Sequence, residues 1–347
     1  MGYSVSEAGD VNGDGLGDLV IGAPYTSYSG RDDNTGEIYV VFGKNNTTPL
    51  NLNNIARGIG GFVIHGIIHI GYGSSAGFSV SSAGDINGDG LDDLIIGAPD
   101  ADPNGRNRAG ESYVVFGKND TVSVNLIDIA LGVGGFKISG VAAFDKSGFS
   151  VSGAGDINGD SLDDLIIGAP YASPDGNSYV VFGKQDTRTV TLSEIARGQG
   201  GFILNGIEQY ERFGHSVSGA GDVNGDGLND LIIGGYTENG ESISTIYVVF
   251  GKNNTTAVNI GEIGKGIGGF AIIAIKVNDY AGNASVSGAG DINGDGLDDL
   301  IIGAPVADPN SKEDAGESYV VFGKNDTTAV EVSEVVRGVG GFVITSH

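Results

Sequence analysis

The residues of this chain best suited to chemistry are five short runs of aspartate and asparagine with one shared spacing. The first contains Asp10, Asn12, Asp14 and Asp18, and the second Asp85, Asn87, Asp89 and Asp93. The third contains Asp156, Asn158, Asp160 and Asp164, and the fourth Asp222, Asn224, Asp226 and Asp230. The fifth contains Asp291, Asn293, Asp295 and Asp299. Counted from the first aspartate, side-chain oxygens fall at positions 1, 3, 5 and 9 of every run. Oxygen donors without sulfur or imidazole suit a hard cation with about six to eight ligands, and Ca2+ is the natural choice. The backbone carbonyl near position 7, from Leu16, Leu91, Leu162, Leu228 and Leu297, is expected to add a ligand. Glycine at position 6 lets the chain turn sharply enough to converge these oxygens. The third run has Ser161 there, so that site is expected to be strained or weaker.

Two other readings of the runs are weaker. An EF-hand loop also opens with alternating acidic residues and glycine, but it needs a bidentate Glu at its twelfth position and flanking helices. Here that position holds Ile21, Ile96, Ile167, Ile233 and Ile302, each inside an apolar run, which excludes the EF-hand. Asp-Asn-Gly clusters also form ordinary turns. Five turns with identical carboxylate spacing are a poor outcome of turn preference alone, and three adjacent carboxylates repel without a cation. The expectation is about five Ca2+ ions, one in each run.

The segments that must hold these loops repeat with them. The GDxNGD string begins at Gly9, Gly84, Gly155, Gly221 and Gly290, at spacings of 75, 71, 66 and 69 residues. A short alternating segment such as Gly77-Phe78-Ser79-Val80-Ser81 precedes each loop and has strand period. The versions at Gly214-His215 and Asn283-Ala284 are degenerate. An apolar run such as Leu94-Ile95-Ile96-Gly97 follows and reads as a strand buried on both faces. A third strand starts near Tyr39, Tyr113, Tyr179, Tyr247 and Tyr319, and a fourth is Gly-Gly-Phe-x-Ile, as at Gly60–Ile64. Between them, Leu52–Gly58 suggests one helical turn. The four-strand unit of about 70 residues with glycine-rich turns describes a propeller blade, with a linear solenoid as runner-up.

The fold expected is all-β: a five-bladed β-propeller with four antiparallel strands per blade. The ring is expected to close by face packing of blade five on blade one, without a strand-swap clasp. Blade boundaries are expected at 1–71, 72–142, 143–208, 209–277 and 278–347, forming one domain.

With 63 glycines the composition could suggest disorder, but 39% hydrophobic residues in regularly spaced runs must be buried somewhere. The formal net charge of -26 disfavours nucleic acid and anionic membranes. The chain has no cysteine, which excludes disulfides and thiolate sites, and no apolar stretch long enough for a membrane helix. Met1 and Gly2 run straight into the repeat, so the chain is expected to belong to a longer parent protein.

In their fixed order, G-F-S-V-S, D-x-N-x-D-G-x-x-D, L-I-I-G-A-P and Y-V-V-F-G resemble the FG-GAP repeats of integrin α-subunit propellers and of bacterial, especially cyanobacterial, surface proteins. The resemblance covers essentially the whole chain. It implies Ca2+ ligands at the positions named and a propeller with the loops on one face. The integrin propellers it resembles have seven blades with Ca2+ loops in some, whereas here five repeats all keep theirs.

No enzyme is expected. His65 and His69 are four residues apart in what reads as a loop, without a completing carboxylate pattern, and His215 occupies a core aromatic position. His347 lies at the end of the chain. No nucleophile–base pair or nucleotide motif is present. The most variable segments are Tyr25–Glu37, Asp100–Glu111, Tyr171–Asn177, Tyr236–Thr245 and Val306–Glu317, which would lie opposite the Ca2+ loops and could carry a protein partner. Tyr25, Tyr28, Tyr72, Tyr171, Tyr210, Tyr236 and Tyr280 are candidate anchors. The function expected is a secreted or cell-surface, Ca2+-stabilised interaction or adhesion scaffold. Alternatives are a glycan-binding propeller lectin, which the absence of Trp disfavours, and a ligand-free structural scaffold.

Overall fold

Alternation of Val with Ser, then a wholly apolar run, dictates one half-exposed and one fully buried strand in each repeat. The computed structural model describes residues 2–27, 34–67, 73–207, 212–235, 243–277, 281, 285–309 and 312–345, and the apolar strand is wholly buried in the second, third and fourth repeats, whereas Leu19 of the first is exposed and Ile301 of the fifth is half-buried. The first repeat forms β1 (Ser4–Gly9), β2 (Asp18–Ala23), β3 (Glu37–Val41), α1 (Leu52–Ile55) and β4 (Gly61–His65). The second forms β5 (Ser79–Gly84), β6 (Asp93–Ala98), β7 (Glu111–Val115), β8 (Val124–Asn125), α2 (Leu126–Ala130) and β9 (Gly135–Ser139). The third has β10 (Ser150–Gly155), β11 (Asp164–Ala169), β12 (Asn177–Val181), β13 (Val190–Thr191), α3 (Leu192–Ile195) and β14 (Gly201–Asn205). The fourth has β15 (Ser216–Gly221), β16 (Asp230–Gly234), β17 (Ile243–Val249), β18 (Val258–Asn259), α4 (Ile260–Ile263) and β19 (Gly269–Val277). The fifth has β20 (Ser285–Gly290), β21 (Asp299–Ala304), β22 (Glu317–Val321), β23 (Val330–Glu331), α5 (Val332–Val335) and β24 (Gly341–Thr345).

The four longer strands of each repeat form one sheet, for example β1-β2-β3-β4, and the described strand pairs within each repeat are antiparallel. All six residues of β6 and of β11 are buried, as their continuous apolar sequences require. A register shift ends the first strand, between Glu7 and Gly9, Ser82 and Gly84, Gly219 and Gly221, and Gly288 and Gly290. Such a bulge bends the strand just where the acidic loop begins.

The sheets depart from the expected four strands. β8, β13, β18 and β23 each pair in parallel with the last long strand of the preceding repeat, as Ile64 with Val124 and His65 with Asn125. Each two-residue strand therefore clasps neighbouring repeats, and it runs directly into the helical turn of its own repeat. Four sheets have five strands, and the last, β20-β21-β22-β24, has four. Five sheets of four or five strands match the strand inventory of a five-bladed propeller, and no pairing among the described residues joins the last sheet to the first.

By contacts the chain divides into two compact units. One comprises Met1–Gly153, Ser161–Ile167 and Val181–Arg197, and the other Ala154–Asp160, Gly168–Val180 and Gly198–His347. In the first unit one apolar core joins Val20, Val40 and Phe62 of the first sheet to Val80, Leu94 and Tyr113 of the second. The second unit repeats that arrangement, joining Ile232, Val248 and Phe270 to Val286, Leu300 and Tyr319. Phe62 and Ile64, read as lying on one face, are both fully buried.

Candidate metal centre

A bulge at the end of the first strand opens the first, second, fourth and fifth acidic loops, and the loop's own backbone organises its carboxylates. In the first loop Asp10 Oδ1 accepts from the Asp14 N–H at 3.0 Å and Oδ2 from Gly15 at 2.8 Å. Asn12 Oδ1 also accepts from the Asp14 N–H, at 2.8 Å, and Asp14 Oδ1 accepts from the Leu16 N–H at 2.9 Å. The second, fourth and fifth loops repeat the pattern around Asp85, Asp222 and Asp291. In the third, Asp156 Oδ1 accepts from Gly159 at 2.7 Å and from Asp160 at 3.1 Å. Positions 1, 3 and 5 thus share one exposed turn.

Position 9 does something different. Asp18, Asp93, Asp164, Asp230 and Asp299 are essentially inaccessible to solvent. Each accepts a hydrogen bond at 2.7–2.9 Å from the N–H of the glycine two residues past the third strand: Gly43, Gly117, Gly183, Gly251 or Gly323. The second oxygen of Asp18, Asp93, Asp230 and Asp299 takes the N–H at loop position 2. Burial pushes the Asp93 carboxyl up to about 8 and that of Asp230 up to about 7, against the pull of these N–H bonds, and it raises Asp18 in the same direction. Desolvation outweighs hydrogen bonding here.

The donor set of each loop is all oxygen, which fits Ca2+ and does not favour a soft metal. Among the described residues, however, no group of three or more His, Cys, Asp or Glu side chains is gathered as around a metal ion. In the first loop Asp10, Asn12 and Asp14 share one turn, but the carboxylate of Asp18 is directed to the N–H groups of Val11 and Gly43. Ser161 has φ of 70°, so the serine does occupy the left-handed region where the other loops use glycine.

A residue that sequence reasoning passed over lies at position 8. Asp92 Oδ2 accepts from the Asp10 N–H of the preceding loop at 2.6 Å, Asp163 from Asp85 at 2.9 Å and Asp298 from Asp222 at 2.8 Å. The carboxylate of one repeat thereby caps the loop of the one before it. The signal was present as Asp or Asn at position 8 in four loops and Gly17 in the first, but its partner lies 76 to 82 residues away.

The histidines change place. His65 ends β4 rather than sitting in a loop, with Nδ1 3.5 Å from Glu37 Oε1. His215 is half-buried, and the wholly buried aromatic beside it is Phe213. His69 and His347 lie outside the described residues, as do Tyr28, Tyr72, Tyr210, Tyr236 and Tyr280. Tyr25 is exposed and meets Tyr3 edge-on at 5.5 Å, while Tyr171 is half-buried beneath the Arg212 guanidinium, 4.2 Å from its ring. Gly9 pairs with Asp18 at one end of β2 and Ala23 with Glu37 at the other, so the second-to-third strand loop lies at the end of the sheet away from the acidic loop.

Five successive sheets of four or five strands, each carrying an acidic loop after its first strand, define a blade-forming repeat protein. The FG-GAP repeat model matches residues 1–41, 76–115, 147–181, 213–256 and 282–321, more than half of the chain, and the chain belongs to the FG-GAP repeat family. It is 31% identical to integrin alpha pat-2 of Caenorhabditis elegans over 242 residues, covering 68% of this chain and 18% of that protein. It is 30% identical to integrin alpha-V of Gallus gallus over 241 residues, covering 68% of this chain and 20% of that protein. The phosphatidylinositol-glycan-specific phospholipase D of Rattus norvegicus is 27% identical over 338 residues, or 90% of this chain and 36% of that protein. The chain therefore spans about a third or less of the length of these relatives.

Proposed function

We propose that this chain is a Ca2+-stabilised extracellular interaction module of the adhesion type. The observation that carries the reading is the fivefold recurrence of an oxygen-only loop tied through a buried aspartate to the third strand of its own sheet. Asp10, Asn12, Asp14, Asp18 and the Leu16 carbonyl, with their counterparts in the other four loops, would hold the ions. A bound Ca2+ supplies charge neutralisation to a chain of formal net charge -26. The N–H groups now on the position 1 carboxylates compete with a cation for the same oxygens. Extracellular modules bind Ca2+ with dissociation constants of about 10⁻⁴–10⁻³ M, far above cytosolic levels, which supports a location outside the cell. The loops at the opposite end of each sheet, those of Tyr25 and Tyr171 among them, are the surface offered to a protein partner.

Chelation tests this. Ions that bind only the folded state stabilise it by mass action. EGTA is expected to lower Tm markedly, and calorimetric titration to find up to five weak sites. An unchanged Tm would remove the metal from the reading, and nanomolar sites would remove the argument for an extracellular location.

A second reading is favoured by the coverage of the phospholipase D relative, whose match takes in 90% of this chain but 36% of that enzyme. On this reading the chain is the repeat portion of a longer enzyme and is not itself the catalyst. The purified chain is expected to release no glycosylphosphatidylinositol-anchored protein from membranes, and release would show catalysis.

A further inference from the structure

The acidic loops of neighbouring repeats are packed against one another. Gly9 precedes the first aspartate of its loop, and a Cβ there would lie 2.2 Å from Asp92 Oδ2 of the next loop. A Cβ on Gly84 would lie 2.1 Å from Asp163 Oδ2, and one on Gly221 2.1 Å from Asp298 Oδ2. The glycine that opens the GDxNGD string therefore leaves room for the position 8 carboxylate of the following repeat. Four residues on, a Cβ on Gly13 would lie 2.8 Å from Leu91 Cδ2, and one on Gly225 2.8 Å from Leu297 Cδ2. Position 7 of one loop thus rests on position 4 of the loop before it.

Backbone bonds close a circuit between the two sets of candidate ligands. The Asp10 N–H donates to Asp92 Oδ2 at 2.6 Å, and the Asp10 carbonyl accepts from the Asp92 N–H at 3.3 Å. Asp92 adjoins Asp93, whose carboxylate accepts from the Gly117 N–H. Gly117 adjoins Lys118, whose N–H returns to the Val11 carbonyl at 2.9 Å, and the Val11 N–H donates to Asp18. Val11 therefore ties the buried aspartate of its own loop to the segment that holds the buried aspartate of the next. Val223 does the same between Asp230 and Asp299, through Lys324 and Gly323.

We infer, on the Ca2+ reading proposed above, that Asp92, Asp163 and Asp298 are positioning residues for the cation site of the preceding repeat, so that adjacent sites fill together. Asp92 touches no ligand oxygen of the first loop in this role. It acts through Asp10, whose backbone it holds on both sides. Any movement of Leu91 and Asp93 toward a cation in the second loop is passed by the circuit to Asp10, Val11 and Gly13 in the first. Once one loop has rearranged, its neighbour has less rearranging left to do, and the second cation binds more tightly. The effect is reciprocal, because a coupling free energy acts equally on both sites.

Hydrogen exchange of the full chain, read by mass spectrometry while Ca2+ is raised from a chelated start, gives a midpoint for the peptide that carries each loop. Asp14→Asn, at an exposed position, removes one candidate ligand carboxylate from the first loop alone. It is expected to raise the Ca2+ midpoint of the second loop about fivefold, the lower end of such couplings, and to leave that of the fourth loop unchanged. In an Asp92→Ala background the same substitution is expected to leave the second loop where Asp92→Ala alone puts it. A role confined to stability would not produce that pattern. Asp92→Asn, which keeps an acceptor for the Asp10 N–H without the charge, is expected to fold as the wild type does and to reduce the shift. A second-loop midpoint that ignores Asp14→Asn, a shift of equal size with and without the Asp92 carboxylate, or a fourth loop that moves as far overturns the coupling and leaves the Ca2+ reading standing. Protection that responds to Ca2+ in none of the loops overturns both.

Discussion

Ser161 shows what one side chain can cost. A residue other than glycine in the left-handed region carries about 1–2 kcal/mol of strain. Ser161→Gly is expected to raise stability by about 1 kcal/mol in a chemical denaturation curve and to tighten Ca2+ at the third loop. Asp92→Ala is expected to cost about 1–2 kcal/mol, because it strands the Asp10 N–H that the carboxylate caps. Glu37 gives the pH dependence. The His65 ring beside it, and next the Tyr39 hydroxyl, hold its carboxyl below the usual value of 4.5. A depressed carboxyl stabilises the fold above its unfolded pKa and loses that stabilisation as pH falls through the folded value. Between pH 6 and pH 3, Tm of the wild type is therefore expected to fall further than that of Glu37→Gln. Equal slopes would mean that the pair contributes nothing.

At the scale of elements, sheets approach so closely that a backbone atom fills the place of a side chain. A Cβ on Gly97 would lie 2.1 Å from the Gly148 carbonyl oxygen of the next repeat. Gly97→Ala is expected to destabilise by about 1–3 kcal/mol, with lost protection from hydrogen exchange in β6 and β10. The four long strands of each repeat and the helical turn were legible in sequence, because an apolar period of two or an unbroken buried run spans enough residues to show. The parallel strands such as Val124–Asn125 were not, since two residues carry no period and their partners lie in another repeat. The same reason hid the position 8 carboxylates. The loops themselves were legible from spacing, but the inward direction of Asp93 depends on a glycine N–H 24 residues further on.

The whole molecule is a series of similar interfaces with unequal burial, so one substitution has different effects along it. Stability in such arrays is nearly a sum of repeat and neighbour terms. Phe136→Ala, at a fully buried ring, is expected to cost about 3–5 kcal/mol. Phe342→Ala, at a ring 38% exposed, is expected to cost about half of that or less. Equal losses would show that the last ring is covered in solution. Repeat number and order could be read from the sequence, but burial at the two ends depends on which surfaces stand next to the first and last sheets.

The bond from each position 9 aspartate to one glycine amide has a practical consequence. Gly43, Gly117, Gly183, Gly251 and Gly323 are five separate reporters, each wired to a single acidic loop. In a nitrogen–proton correlation spectrum of labelled protein, their amide signals would read out the five loops one at a time during a cation titration. A bulk calorimetric curve blends those events. The order in which the five peaks move would rank the loops by affinity, with Gly183 tracking the one that carries Ser161.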